Sequence, residues 1–357
     1  MRTLLTVTVS PRKAGAERLI ADIEQAVSSD FNFKLGLVRS LHRRPVDYTS
    51  LMAFGLWGCL FEPAQIIHTH LWLSGLTIRI RKIWDPNFKW IHTIHSQYHN
   101  LRFSFFRQWI DRTWIFPKVD ALVAVSPSVY PIIEKFSQAQ LISNGISLTK
   151  RKSEARPSLF TIGTVAMLRR EKGLFDLLDS AAQLRKEKQE FIWKIAGSGP
   201  LRAKLEKEIR RRGLDQHVQL LGFVERMDDF YADLNVYAQP SHQEPFGLGA
   251  MAALQFGLPI VAARVDNLIP MLRDGDWGML VARTKDFSVD FARAICSIRA
   301  APEFWRDKSY VALEHWQKHA SLEQMTKGYH TLYRKYADLI PPKKINTKAV
   351  LHFPSVP

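Results

Sequence analysis

Short runs of β-branched and aromatic residues alternate along most of the chain with stretches in which apolar positions recur every three or four residues. That alternation is the pattern of α/β units with parallel sheets. Leu4–Val9 predicts a first buried strand, and Leu19, Ile20, Ile23 and Val27 predict a helix behind it. Further strands are predicted over 33–38, 65–68, 90–95 and 122–125, after which Leu141-Ile142-Ser143 runs into the turn dipeptide Asn144-Gly145. The polar stretch 150–158 reads as a linker. A second series then begins, with strands predicted over 160–165, 191–196, 218–221, 236–238 and 259–262, and helices over 173–188 and 201–212. Beyond Val281 the period is helical to about Leu339. The expected architecture is α/β: two Rossmann-like domains, 1–152 and 153–320, facing across a cleft. A C-terminal helix, 321–340, is expected to cross back to the first domain, ahead of a flexible tail, 341–357.

Composition narrows the class. With 357 residues, 46% of them hydrophobic and ten tryptophans, the chain has the apolar surface for two large cores, which excludes a disordered or low-complexity protein. Its two cysteines, Cys59 and Cys296, supply neither a disulfide framework nor a cysteine zinc site, as suits a reducing cytoplasm. Fifty Lys and Arg against 34 Asp and Glu give a net charge of +16, which favours polyanionic partners. The first 150 residues hold 18 of the basic and 10 of the acidic side chains, so the charge is shared by both halves. The opening run is short and threaded with threonine, unlike a signal peptide. The longest apolar stretch, 50–61, stops at Glu62, short of the ~20 residues that cross a bilayer.

The most informative stretch runs from Pro240 to Pro259: a strand end, a loop tipped by Glu244, then Phe246-Gly247-Leu248-Gly249 opening a helix. Amide groups at such a helix start form a site for phosphate, with Glu244 placed beside it to accept hydrogen bonds from a polar ligand. Here the sequence resembles the retaining family-4 glycosyltransferases with the GT-B fold, whose signature reads approximately P-S-x-x-E-G-F-G-L-x-x-x-E-A-x-x-x-G-x-P-V-V. Ala14-Gly15-Ala16-Glu17 matches the family's first glycine loop, and His68 and His70 match its His-x-His strand end. Thr93 with His95, Val123-Ala124-Val125-Ser126 and Asn144-Gly145 follow in order. In the second domain Leu168-Arg169-Arg170-Glu171-Lys172-Gly173 resembles the phosphate loop. Gly197-Ser198-Gly199-Pro200 and Leu221-Gly222-Phe223-Val224 resemble the nucleotide-side loops.

The resemblance implies sugar transfer with retained anomeric configuration, from a UDP- or GDP-linked donor held by the second domain to an acceptor held by the first, with no metal or other cofactor and no protein nucleophile. Lys172 and the amides near Gly247 and Gly249 would stabilise the departing diphosphate, Glu244 would hold donor-sugar hydroxyls, and His95 would reach that sugar from the first domain. Gly15, Ala16, Glu17 and His70 fall on the acceptor side. Three departures stand out. The second signature glutamate is Ala252, with Gln255 one turn further on as its substitute. The Gly-Arg pair before Leu168 is Ala166-Met167, leaving Arg169 or Arg170 to reach the phosphates. The glycine-rich loop after Ala263 reads Arg264-Val265-Asp266-Asn267-Leu268.

Two other patterns have competing readings. His92 and His95 on one strand point to different faces and lack acidic companions, and Asp274-Gly275-Asp276 suits a surface turn, so no metal centre is expected. Residues 98–114 mix aromatics with Arg102, Arg107 and Arg112. As a helix the segment brings Phe103, Phe106, Ile110 and Trp114 to one stripe, beside Trp109, for docking on an anionic membrane or for packing inward. The expectation is a bacterial hexosyltransferase, peripheral at the inner face of the cytoplasmic membrane, acting on a lipid-linked or cell-surface glycan such as lipopolysaccharide or polysaccharide and not on nucleic acid. A nucleotide-sugar epimerase of the same fold and a catalytically weakened basic GT-B protein binding membrane or nucleic acid are the rivals.

Overall fold

Strand β1 (Arg2–Thr8) sends Leu4 to one face of its sheet and Leu5 and Val7 to the other, where each joins a separate apolar cluster. A strand that is apolar on both sides belongs in the middle of a sheet with both faces covered. In this computed structural model, which describes residues 2–8, 15–37, 46–48, 51–54, 56–95, 104–147, 157–244, 246–265 and 267–340, β1 is central. The rest of that sheet comprises β2 (Phe31–Leu37), β3 (Val46–Tyr48), β4 (Leu51–Phe54), β5 (Ile66–His70), β6 (Lys89–Ile94), β7 (Ala121–Ala124) and β8 (Ala139–Leu141). Their order is β3-β4-β2-β1-β5-β6-β7-β8, parallel except where β3 turns back on β4. The predicted helix over Leu19–Val27 is there as Gly15–Val27, its apolar residues buried against the sheet.

The second sheet holds β9 (Thr161–Val165), β10 (Ile192–Ala196), β11 (Val218–Gly222), β12 (Val236–Gln239), β13 (Ile260–Ala263) and β14 (Met279–Val281), in the order β11-β10-β9-β12-β13-β14. Every pairing is parallel. Along β12, Val236 and Ala238 face one core and Tyr237 the other. The strand order reverses between β9 and β12, so the loops leaving these two neighbours diverge and open the crevice in which an open α/β sheet binds its ligand.

Three helices end the described chain: Phe287–Ala300, Pro302–His319 and Leu322–Asp338. The last begins at Ser321, whose hydroxyl caps the helix by accepting from the Gln324 amide at 3.2 Å. It packs Met325, Tyr329, Leu332 and Tyr333 into the core of the first sheet. Asp30 anchors it from outside through Arg334, at 2.6 Å, and His330. The chain thus returns from the second sheet to the first, and the backbone bridge between Ile146 and Ser321 joins the outgoing and incoming strands of the crossover.

The 98–114 segment departs from its predicted stripe. Ser104–Ile110 is α-helical, but Asp111–Ile115 closes a π-helical turn, whose wider register rotates the following side chains. Ile110 packs against the first sheet's core while Phe106 and Trp114 face outward, so the three do not share a face. Phe103 and Arg102 lie outside the described residues, as do the 150–156 part of the expected linker and the 341–357 tail.

Candidate active site

The loops that leave β9 and β12 carry the two residues that the sequence singles out most strongly, Lys172 and Glu244, and the fold brings them together at the crevice. Lys172 Nζ lies 2.8 Å from Glu244 Oε2. The same oxygen accepts from Ser241 Oγ at 3.2 Å and from Gln239 Nε2. All three donors converge on Oε2, which leaves Oε1 to receive a ligand hydroxyl. Beside this pair, Gly247 adopts a left-handed conformation (φ 87°) and starts the helix Leu248–Leu254. The first amides of a helix lack an intrahelical partner, and the helical bonds here begin with the Met251 amide on the Gly247 carbonyl at 2.9 Å. A carboxylate, an ammonium and the amides of a helix start therefore meet at one strand end, suited to sugar hydroxyls on one side and phosphate on the other.

Why the two loops meet is visible in the backbone. Gly173 has φ 64°, and a side chain there would bring its Cβ within 1.9 Å of the Pro240 carbonyl oxygen, so only glycine permits the approach. The His242 amide donates to the Glu171 carbonyl at 2.8 Å, stitching the loops together. Arg283, which the sequence reading did not mark, donates to the Pro240 carbonyl at 2.9 Å and pairs with Asp176, and Asp176 also meets His242 Nε2 at 3.1 Å. Burial and the nearby Arg283 cation hold the His242 imidazole below its usual range, so it stays neutral at pH 7. Tyr231 fixes the helix start by donating to the Gly249 carbonyl at 3.0 Å.

The first domain contributes neutral imidazoles. His70 Nδ1 and His95 Nε2 are 2.9 Å apart, and His70 is fully buried with its Nε2 lacking a partner among the described residues. Burial pushes His95 down to about 4 and His70 well below the usual histidine range. The neutral pair offers hydrogen bonds without charge, whereas Lys172 carries the cation that pairs with Glu244. His68 is held between Tyr333 Oη at 2.6 Å and Thr93 Oγ1 at 2.7 Å, a satisfied core histidine that ties the last helix to the end of β5. Asn267 Nδ2 reaches Ser126 Oγ at 3.2 Å, a buried hydrogen bond between the two domains.

Other predicted residues fall into different places. Phe246 is buried in the second sheet's core, and Leu248 and Val224 pack against that core, so their side chains hold loops in position. Gly197 and Gly199 lie at the mouth, but this segment bonds to the loop after β9, with the Leu168 amide donating to the Ser198 carbonyl at 3.0 Å. Phe223 stands out at the rim, 61% exposed. Arg169 and Arg170 are exposed, and Arg169 leans toward Glu171 at 3.9 Å instead of toward Lys172. Ala252 is half-buried, while Gln255 closes the end of its helix as a buried residue whose Oε1 has no partner among the described residues. Gly15, Ala16 and Glu17 begin the first helix, and their side chains lie outside the described residues. Asp274 and Asp276 each face an arginine, Arg264 and Arg273, on the surface. Among the described residues no group of His, Cys, Asp or Glu is arranged to hold a metal ion, and no helix is long and apolar enough to cross a membrane.

Two Rossmann-like sheets, a ligand crevice at the switch point of the second and a final helix that returns to the first define a GT-B protein. The chain belongs to the family-4 type of glycosyltransferase: the model described as Glycosyltransferase Family 4 matches residues 17–150, and that described as Glycosyl transferases group 1 matches residues 146–303. It is 29% identical over 253 residues to a D-inositol 3-phosphate glycosyltransferase of Corynebacterium urealyticum, a stretch covering 61% of this chain and 59% of that one. It is 27% identical over 220 residues to the alpha-monoglucosyldiacylglycerol synthase of Acholeplasma laidlawii, covering 60% and 53%. The matches thus span little more than half the length of these relatives. In fold it resembles Anabaena HepE in complex with UDP-glucose, with a TM-score of 0.80 at 17% identity over 94% of this chain and all of the other.

Proposed function

We propose that the protein transfers a hexose-type sugar from a UDP- or GDP-linked donor to a lipid-linked or cell-surface glycan, in lipopolysaccharide or polysaccharide synthesis, with retention of configuration and without a metal. The observation that carries the reading is the Lys172–Glu244 pair at the strand ends, with three donors on Glu244 Oε2 and none among the described residues on Oε1, close in sequence to the amides of 247–249. The diphosphate lies against those amides and draws Lys172 toward it, which meets the charge that develops on the departing phosphate oxygen. Glu244 then accepts from the sugar's hydroxyls, and the His70–His95 pair closes over the sugar from the first domain. The acceptor hydroxyl adds to the anomeric carbon as the bond to the phosphate breaks, and its proton passes to the phosphate oxygen that leaves. A lipid-borne acceptor is supported by the diacylglycerol product named for the Acholeplasma relative and by the charge of +16, which suits the inner face of a bacterial cytoplasmic membrane.

The test is release of nucleoside diphosphate from a panel of UDP- and GDP-sugars, with and without glycolipid extracts, in the presence of EDTA. Release that requires acceptor and survives EDTA supports the reading. Isomerised sugar nucleotide without release would favour the epimerase, and silence toward every donor would sink the transferase.

A further inference from the structure

One face of the first domain is built from three neighbouring segments: the helices Leu56–Phe61 and Trp72–Arg81, and the stretch 104–115. Inward they supply Cys59, Ile78 and Ile115 to the core, all fully buried. They are joined laterally. Arg79 Nε donates to the Trp114 carbonyl at 2.8 Å with its guanidinium 4.9 Å from the Trp114 ring, and Arg107 lies 4.9 Å from the Trp72 ring. Outward, the same segments and the turn after Arg81 hold large apolar side chains in water. Ile83 is 65% exposed, and Trp84 is half exposed, with its ring stacked 6.2 Å from Phe61. On the neighbouring stretch Phe105 is 84% exposed, and Phe106 and Trp109 stack at 6.1 Å, both outward. Isolated apolar residues on a surface are ordinary, but aromatic pairs on adjoining segments are not.

The exposed charges around this face are mostly basic, and Asp111 on the same stretch is buried. Arg107, Arg112 and Lys118 rim the aromatic ridge, while the acidic neighbours Glu62 and Asp85 are engaged by Lys34 and Arg81. Exposed tryptophan and phenylalanine inside a basic rim match the two layers of an anionic bilayer surface, acyl chains below and phosphates above. We infer that this face docks the protein on an anionic lipid bilayer, with Ile83, Trp84 and Phe105 entering the headgroup region and Arg112 and Lys118 meeting lipid phosphates. The inference deepens the membrane placement proposed above, and rests on it, by naming the surface and adding the 80–84 turn to the aromatic segment.

The test is flotation of the full-length protein, without nucleotide, on phosphatidylcholine vesicles with and without about one third phosphatidylglycerol. Binding is expected to the anionic vesicles and to weaken with salt. The triple variant I83S/W84S/F105S should lower partitioning at least ~10-fold through lost apolar burial, and R112Q/K118Q about 30-fold at about 1 kcal/mol per charge. Phe304, an exposed aromatic on the second domain, serves as control, and F304S should bind like the wild type. Ile83, Phe105, Arg112 and Lys118 are exposed and Trp84 half so, so melting temperatures should change little, the lost Trp84–Phe61 stack being the main cost. Anionic-vesicle binding that is absent, or undiminished in the triple variant, overturns the inference. So does self-association that the triple variant abolishes while vesicle binding persists, since the face would then belong to a second copy. Vesicle binding without sugar transfer would sink the transferase alone, whereas transfer to a soluble acceptor without vesicle binding would sink this inference alone.

Discussion

At the scale of single residues, the chemistry rests on three donors meeting one oxygen of Glu244. Lys172→Ala removes the cation but leaves Gln239 and Ser241 on the carboxylate, so the loop should hold its shape while turnover falls by about two to three orders of magnitude, as when one transition-state donor is lost elsewhere. Steady-state kinetics on a variant of unchanged melting temperature checks this, and an unaltered kcat would remove Lys172 from its role. Gly173→Ala acts differently. It must move the Pro240 carbonyl or unwind the left-handed turn, at a cost of ~1–3 kcal/mol seen as a lower urea midpoint, together with a loss of activity. Glu244 and Lys172 were legible because loop carboxylates and strand-to-helix lysines fall into a recurring local pattern. Arg283 and Asp176 were not. They lie 107 positions apart and meet only through folding, and neither sits in a motif. Phe246 and Leu248 belong to the motif, yet their side chains serve the core, which a pattern of letters does not distinguish.

At the scale of elements, the alternation of strand and helix periods was enough to place most of both sheets, because a parallel strand covered on both faces is rich in apolar and β-branched residues. The pieces that escaped are short and peripheral. β8 and β14 have three residues each, and β3 and β4 form a small turn-back at the edge, too brief to show a period. The π turn at 111–115 escaped for another reason: one extra residue in a turn leaves composition unchanged but rotates every later side chain. The last helix offers a direct check on how elements are joined. Tyr333→Phe leaves buried His68 Nδ1 without its partner and should destabilise the protein by ~1–3 kcal/mol, more than the loss of one surface hydrogen bond. Chemical denaturation measures it, and a change within error would show that the Tyr333–His68 hydrogen bond does not help to hold the helix.

At the scale of the whole molecule, the acidic limb of stability follows from the histidines behind the cleft. Burial pushes His92 down to about 3 and His95 to about 4, whereas an unfolded chain titrates near ~6.5. The unfolded state therefore takes up protons first. The contribution is complete above ~6.5 and is lost as pH falls toward the folded values, beginning before most carboxylates titrate. Urea midpoints should fall between pH ~7 and ~5, and a flat profile there would mean that these rings are protonated in the native state.

The two domains meet through the Asn267–Ser126 hydrogen bond and the returning helix; the proposed transfer requires the second domain's Lys172–Glu244 pair to face the first domain's His70–His95 pair. The measurement that reaches furthest into this arrangement is a crystal structure with UDP or GDP bound. It should show the two phosphates against the amides of residues 247–249, with the Lys172 ammonium turned from Glu244 onto a phosphate oxygen. Phosphates seated elsewhere, with the Lys172–Glu244 pair intact, would contradict the account.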